Sequence, residues 1–202
     1  SRGLGDVYKR QLYNSCFFLT VNVFIFIMLR PYICGTHFSN RMECSGNFLK
    51  KVNTFFFSQL LTDNKKNIST EKSLIVCGSG NNGGDGFAVA RLLTEQGKHA
   101  DVLFAGKEAS LSEECRCQKQ IVENMGISVF TEFPDEEYTV IIDAVFGVGL
   151  CREITGHYRD VIDWMNLQDT EKVAVDIPSG IYAATGKILG TAFRADLTVC
   201  MA

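Results

Sequence analysis

The stretch "SLIVCGSGNNGGDGFAVARLL" at 73–93 limits the possible folds of this chain more than any other. A short apolar run, the mark of a buried strand, meets a glycine at position 78. Helical spacing follows at once over 84–96, with Phe87, Val89, Ala90, Leu92 and Leu93 apolar and Gly97 as the stop. A strand that passes straight into a helix does not turn back as a hairpin. The next strand returns parallel to it.

The unit then repeats. "ADVLFAG" (100–106) reads as a second strand, and Ser110 with Glu113 has capping-box spacing for a helix that reaches Met125 and stops at Gly126. Further strands are expected at 127–130, 138–147, 172–180 and 195–202, with a helix over 156–166. The strands are apolar on both faces, so a mostly parallel sheet between helical layers is the expected α/β fold. In such sheets ligands bind outside the carboxyl ends of the strands.

Composition narrows the function classes. Of 202 residues, 46% are hydrophobic, enough for a substantial core. The net charge of -3, from 20 basic and 23 acidic residues, gives no basic stripe for nucleic acid. The eight cysteines form no CxxC pair, which favours reduced, packing cysteines in a cytoplasmic protein. The three histidines lie too far apart for zinc spacing.

Residues 1–40 differ from the rest. The apolar run at 16–29 is shorter than the roughly 20 residues of a membrane span, so a membrane role is not expected. A signal-peptide core is an alternative, though no small-residue cleavage site follows. The first residues, "SRGLGDVYKRQ", resemble a translated sequencing adapter. The expectation is a non-native or unstructured leader over 1–40 and one domain over 41–202, cut short at its C-terminus.

Three loops at strand ends carry the chemistry. The first, 78–85, satisfies G-x-G-x-x-G, whose free amides and helix dipole suit an anion. It also has a plain reading as a structural turn. The tip of the second strand is "FAGK", without the ribose-binding acid of a nicotinamide-cofactor fold, and Asp85 would repel a pyrophosphate on the same amides. The loop suits polar, uncharged groups or a cation. The second, "DAVFGVGLCREITG" (143–156), begins at Asp143, either a capping aspartate or a ligand. Its Gly147 and Gly149 permit close approach to backbone. Arg152 suits a phosphate or a solvated surface. The third, "VDIPSG" (175–180), sets Asp176 at a strand mouth, with Ser179 close behind. Asp143, Asp176, Asn82 and Ser179 together make an oxygen-rich set fit for one hard cation, monovalent or divalent.

Taken together, "CGSGNNGGDGFAVARLL", "DAVFGVGLCREITG" and "AVDIPSGIYAATG" resemble the YjeF N-terminal domain family, whose enzymes are the NAD(P)H-hydrate epimerases. The resemblance covers roughly 42–202. It implies a three-layer α/β/α Rossmann-like fold, a potassium ion and a homodimer. It implies that Asn81, Asn82, Gly83, Gly84 and Asp85 bind the hydrated nicotinamide nucleotide, together with Gly147, Val148, Gly149, Leu150, Cys151, Arg152, Glu153 and Asp176. Asn82, Asp143 and Ser179 match the family's potassium ligands. The expected reaction interconverts the R and S hydrates of NADH or NADPH, with Asp176 as acid/base. An ADP- or ATP-dependent dehydratase, separate or fused, would then consume the S form.

Some members depart from this role. "MECSG" at 42–46 puts Cys44 where the family usually has Asn. Some relatives are non-catalytic scaffolds or ligand-binding domains, the alternative for this chain. A plain NAD(P)-dependent oxidoreductase is a third option, disfavoured by the tip of the second strand.

Overall fold

The computed structural model describes residues 69–200. The expected leader at 1–40, its apolar run at 16–29, the "MECSG" segment and the last two residues lie outside the described residues. The described chain forms the strands β1 (Lys72–Cys77), β2 (His99–Phe104), β3 (Val129–Phe130), β4 (Val140–Ala144), β5 (Glu171–Val175), β6 (Ile181–Tyr182), β7 (Lys187–Ile188) and β8 (Leu197–Val199). Its helices are α1 (Asn81–Glu95), α2 (Glu113–Asn124) and α3 (His157–Leu167).

Six strands pair in parallel in the order β3-β2-β1-β4-β5-β8. The order reverses direction at β1, which pairs with β2 on one side and β4 on the other. That junction is the switch point where open α/β sheets bind ligands.

Period-two alternation splits the core into two layers. Ile75, Cys77, Val102, Phe104, Ile142 and Val173 face α1 and α2, packing with Phe87, Leu93, Cys115 and Val122. Leu74, Val76, Leu103, Ile141 and Ala174 face α3, packing with Val161, Ile162, Met165 and Phe193. The sheet is therefore buried on both faces, and the three-layer α/β/α architecture holds.

Several boundaries differ from the sequence reading. α1 begins at Asn81, not at residue 84, so both asparagines lie in its first turn. Glycines at 83, 84 and 86 lower helix propensity, but close packing overrides it. A Cβ on Gly83 would stand 2.0 Å from the carbonyl oxygen of Gly78, and one on Gly84 3.2 Å from Cys115 Cα. The cap of α2 is Ser112, whose Oγ accepts from the Cys115 amide at 3.2 Å, rather than Ser110. Ser110 ends a 3-10 turn, Glu108–Ser110, whose backbone places the next free hydroxyl at 112. The strands expected at 138–147, 172–180 and 195–202 shrink to β4, β5 and β8, because their ends serve as site loops or connections. Gly97 and Gly126 close their helices at φ +78 and +75, as the spacing implied. The short β6–β7 hairpin escaped the sequence reading; each strand pairs only two residues.

Candidate functional site

The cluster forms where β1, β4 and β5 end beside the start of α1. Its frame is backbone packed against backbone. The Gly78 amide donates to Ala144 O at 3.1 Å, and a Cβ on Gly78 would stand 2.2 Å from Val145 O. Only glycine lets the first loop lie this close to the second. Ser79 ties the same loop sideways: its Oγ accepts from the Lys107 amide at 3.0 Å, and its carbonyl from the Ser112 amide at 2.9 Å.

Asp143 is the buried hub. It lies inside β4, and alternation puts it on the α3 face of the sheet. It is 0% exposed. Its Oδ2 accepts from the Ser179 amide at 2.7 Å, and its Oδ1 from Ser179 Oγ at 2.7 Å and the Val145 amide at 3.1 Å. Burial pushes its carboxyl up to about 6, against the opposing pull of those Ser179 and Val145 hydrogen bonds. Among the described residues no lysine or arginine offsets its charge.

Asp176 is the half-buried carboxylate at the mouth. It follows β5 directly and has φ +70, the one non-glycine residue at positive φ among those described. Such a conformation costs of order 1–3 kcal/mol and persists only where neighbours enforce it. Here the Asp176 amide donates to Val199 O at 2.8 Å, and Oδ2 accepts from the Val148 amide at 3.0 Å. Oδ1 has no hydrogen-bond partner among the described residues.

Gly147 joins the two parts of the cluster. A Cβ there would stand 2.6 Å from Asp176 Oδ2 and 3.3 Å from Asn82 Cγ. The first-turn asparagine and the strand-end aspartate thus flank one glycine. Asn82 Nδ2 is buried with no hydrogen-bond partner. An amide's oxygen and nitrogen are told apart only by their partners, so turning this one presents an oxygen instead.

The remaining expected residues divide by burial. Gly83 and Gly84 are buried by packing around α1 and α2, and Leu150, 8% exposed, anchors its loop in the α3-side core. Asn81, Val148, Gly149, Cys151, Arg152 and Glu153 are exposed around the mouth, and Asp85 is half-buried one turn into α1. Val148 is 60% exposed, an apolar face beside Asp176. The signal that sequence reasoning missed is the Phe146 amide, which donates to Ser179 Oγ at 2.8 Å. A backbone donor leaves no trace in residue identity.

The donor set suits a monovalent hard cation. It offers carboxylate, hydroxyl and amide oxygen with a single formal charge at Asp143. Among the described residues no cluster of three or more His, Cys, Asp or Glu could hold a transition metal. A separate cavity of about 230 Å³ opens between Leu103, Ala105, Phe133, His157 and Val161, away from both aspartates.

Comparison with known proteins bears on the family and the fold. The family model described as "YjeF-related protein N-terminus" matches residues 41–202. A protein of Oenococcus oeni named NAD(P)H-hydrate epimerase is 42% identical over 137 residues, covering 67% of this chain and 65% of the relative. One of Weissella koreensis with the same name is 42% identical over 130 residues, covering 64% of this chain and 59% of the relative. One of Limosilactobacillus reuteri, also so named, is 42% identical over 136 residues, 67% of this chain and 64% of the relative. The chain thus spans just under two thirds of the length of these relatives. The crystal structure of the yeast protein Ynu0 superposes with a TM-score of 0.65 at 19% identity, over 79% of this chain and 72% of that one. At that identity the likeness speaks for the fold.

Proposed function

This chain belongs to the YjeF-related N-terminal family, and on that premise we propose that it is an NAD(P)H-hydrate epimerase, an isomerase of nicotinamide nucleotide repair. The observation that carries the reading is the placement of Asp176. Its carboxylate is held through Oδ2, leaves Oδ1 open, and stands with Asn82 across Gly147 at the sheet's switch point. The names of the relatives support the same activity. A scaffold has no physical need for a strained aspartate at φ +70.

In the proposed reaction the nicotinamide ring lies over Gly147 with C6 toward Asp176 Oδ1. The carboxyl gives its proton to the departing C6 hydroxyl, which leaves as water. The ring nitrogen lends its electron pair and stabilises the resulting cation. A water then adds to the opposite face, and the proton it sheds returns through solvent to the carboxylate, so the atoms balance. Asn81, Asn82 and Asp85 in α1, with residues 147–153, bind the nucleotide.

Potassium is the proposed ion, held by Asn82, Asp143 and Ser179. The buried, unoffset charge of Asp143 and the unpartnered amide of Asn82 support this set. When bound, the ion would supply a fixed positive charge beside the nucleotide.

The proposal extends to a homodimer and to a dehydratase, separate or fused, that consumes the S hydrate. It also places the protein in the cytoplasm, which the free, exposed Cys117 and Cys151 support.

Asp176→Asn tests the reading. It keeps shape and hydrogen bonding but cannot cycle a proton. It is expected to fold, to bind the hydrate and to lose at least about 100-fold in R-to-S conversion. Early time points with an S-specific dehydratase separate this from slow spontaneous epimerisation. A rate within a few-fold of the parent's would move the acid/base role elsewhere, with Asp85 the next candidate.

A further inference from the structure

We propose that Ser179 is a positioning residue that acts through Asp176, distinct from any part it takes in holding an ion. This rests on the epimerase reading above for its kinetic consequence, but not for its geometry.

Ser179 Oγ has two firm partners. It donates to Asp143 Oδ1 at 2.7 Å and accepts from the Phe146 amide at 2.8 Å. Its own amide donates to Asp143 Oδ2 at 2.7 Å, while Oδ1 also accepts from the Val145 amide at 3.1 Å. Asp143 and Ser179 therefore clip the loop after β4 to the loop after β5. Asp176 stands on one of these loops and the Val148 amide that holds it on the other.

Apart from Asp176, one contact holds that amide's peptide plane: Gly147 O, on the same peptide unit, accepts from the Leu150 amide at 3.2 Å. Val148 is 60% exposed, so its side chain anchors nothing. Glycines flank it at 147 and 149. The loop is pinned at Phe146 by Ser179, and at Leu150 by the core and by the hydrogen bond its amide donates to Gly147 O. The Phe146 ring leans on Tyr158 with centroids 4.8 Å apart, which restrains the side chain but leaves the amide's hydrogen bond to Ser179. Without the Ser179 hydroxyl, the Phe146 amide loses its acceptor, the 147–148 peptide is left on the single bond from the Leu150 amide, and the Val148 amide shifts away from Asp176 Oδ2. The carboxylate then swings between orientations instead of presenting Oδ1 alone.

Ser179→Ala is the variant, measured at saturating potassium. A small misplacement of a reacting group costs up to about 100-fold in rate. The expected result is a fall of about 10- to 100-fold in kcat with KM within about 3-fold of the parent. Ser179→Thr, which keeps the hydroxyl, is expected to recover most of that loss. In an Asp176→Asn background Ser179→Ala is expected to cost no more than about 3-fold further, because a residue that acts through a carboxylate has nothing left to position. A parent-like kcat for Ser179→Ala at saturating potassium would make it an ion ligand only and overturn the proposal. So would an undiminished penalty in the Asp176→Asn background. Hydrogen exchange at the Val148 amide supplies a readout that needs no turnover. It is expected to rise at least about 10-fold in Ser179→Ala, the loss of one hydrogen bond. Unchanged exchange overturns the positioning role, whereas a parent that exchanges as expected but does not epimerise the hydrate sinks the function reading and leaves the geometry standing.

Discussion

Asp176, the proposed acid/base, is held at an unusual backbone angle. At φ +70 an ordinary side chain is strained, and the bond from its amide to Val199 O and the bond from the Val148 amide to its carboxylate hold it there. Gly147 is the counterpart. A methyl group at 147 would sit 2.6 Å from Asp176 Oδ2 and 3.3 Å from Asn82 Cγ, so both side chains would have to move. Gly147→Ala is therefore expected to lower kcat by about 100-fold while the protein still folds, because the displaced atoms lie at the mouth and not in the core. Turnover within a few-fold of the parent would mean that the space over Gly147 is not used by substrate.

Among the elements, the start of each helix decides what it can do. α1 begins at Asn81 because its glycines let the first turn settle on the Gly78 carbonyl and against α2. This sets Asn82 next to the switch point. α2 starts from Ser112, whose Oγ accepts from the Cys115 amide at 3.2 Å. Ser112→Ala is expected to destabilise the protein by about 0.5–2 kcal/mol. Ser110→Ala, at the end of the 3-10 turn, is expected to stay within about 0.5 kcal/mol. Urea midpoints at constant m-value would separate the two. The reverse order would return the cap to Ser110, where the sequence spacing had set it.

Across the whole molecule, the start of α1 meets the ends of β4 and β5: Asn82 and Asp176 flank Gly147, and Ser179 bonds Asp143. An ion bound between them would tie α1 to β4 and β5 and favour the native state by mass action. Potassium is accordingly expected to raise the midpoint of thermal unfolding by about 3–8 °C over sodium at equal ionic strength. Asp143→Asn is expected to remove this difference. The readout is the gap between the two salts, so a general loss of stability in the variant cancels. An equal gap in variant and parent would put the ion elsewhere or nowhere. Among the described residues no helix is long and apolar enough to cross a membrane.

Much of the fold was legible because its signals are local. Apolar runs, glycine stops such as Gly97 and Gly126, and strand-to-helix spacing follow from propensity and from the two periods of strand and helix. The motifs at 78–85, 143–153 and 175–180 marked the loops that meet, since parallel strands send their C-terminal loops to one edge. Other features depended on contacts between distant segments. The early start of α1, the choice of Ser112 over Ser110 and the positive φ of Asp176 arise where packing or hydrogen bonds outweigh local preference. The same holds for the clip from Asp143 through Ser179 to the Phe146 amide. The residue types were written in the sequence, but a backbone N–H is common to nearly every residue, and only the tertiary structure decides which one a buried oxygen meets.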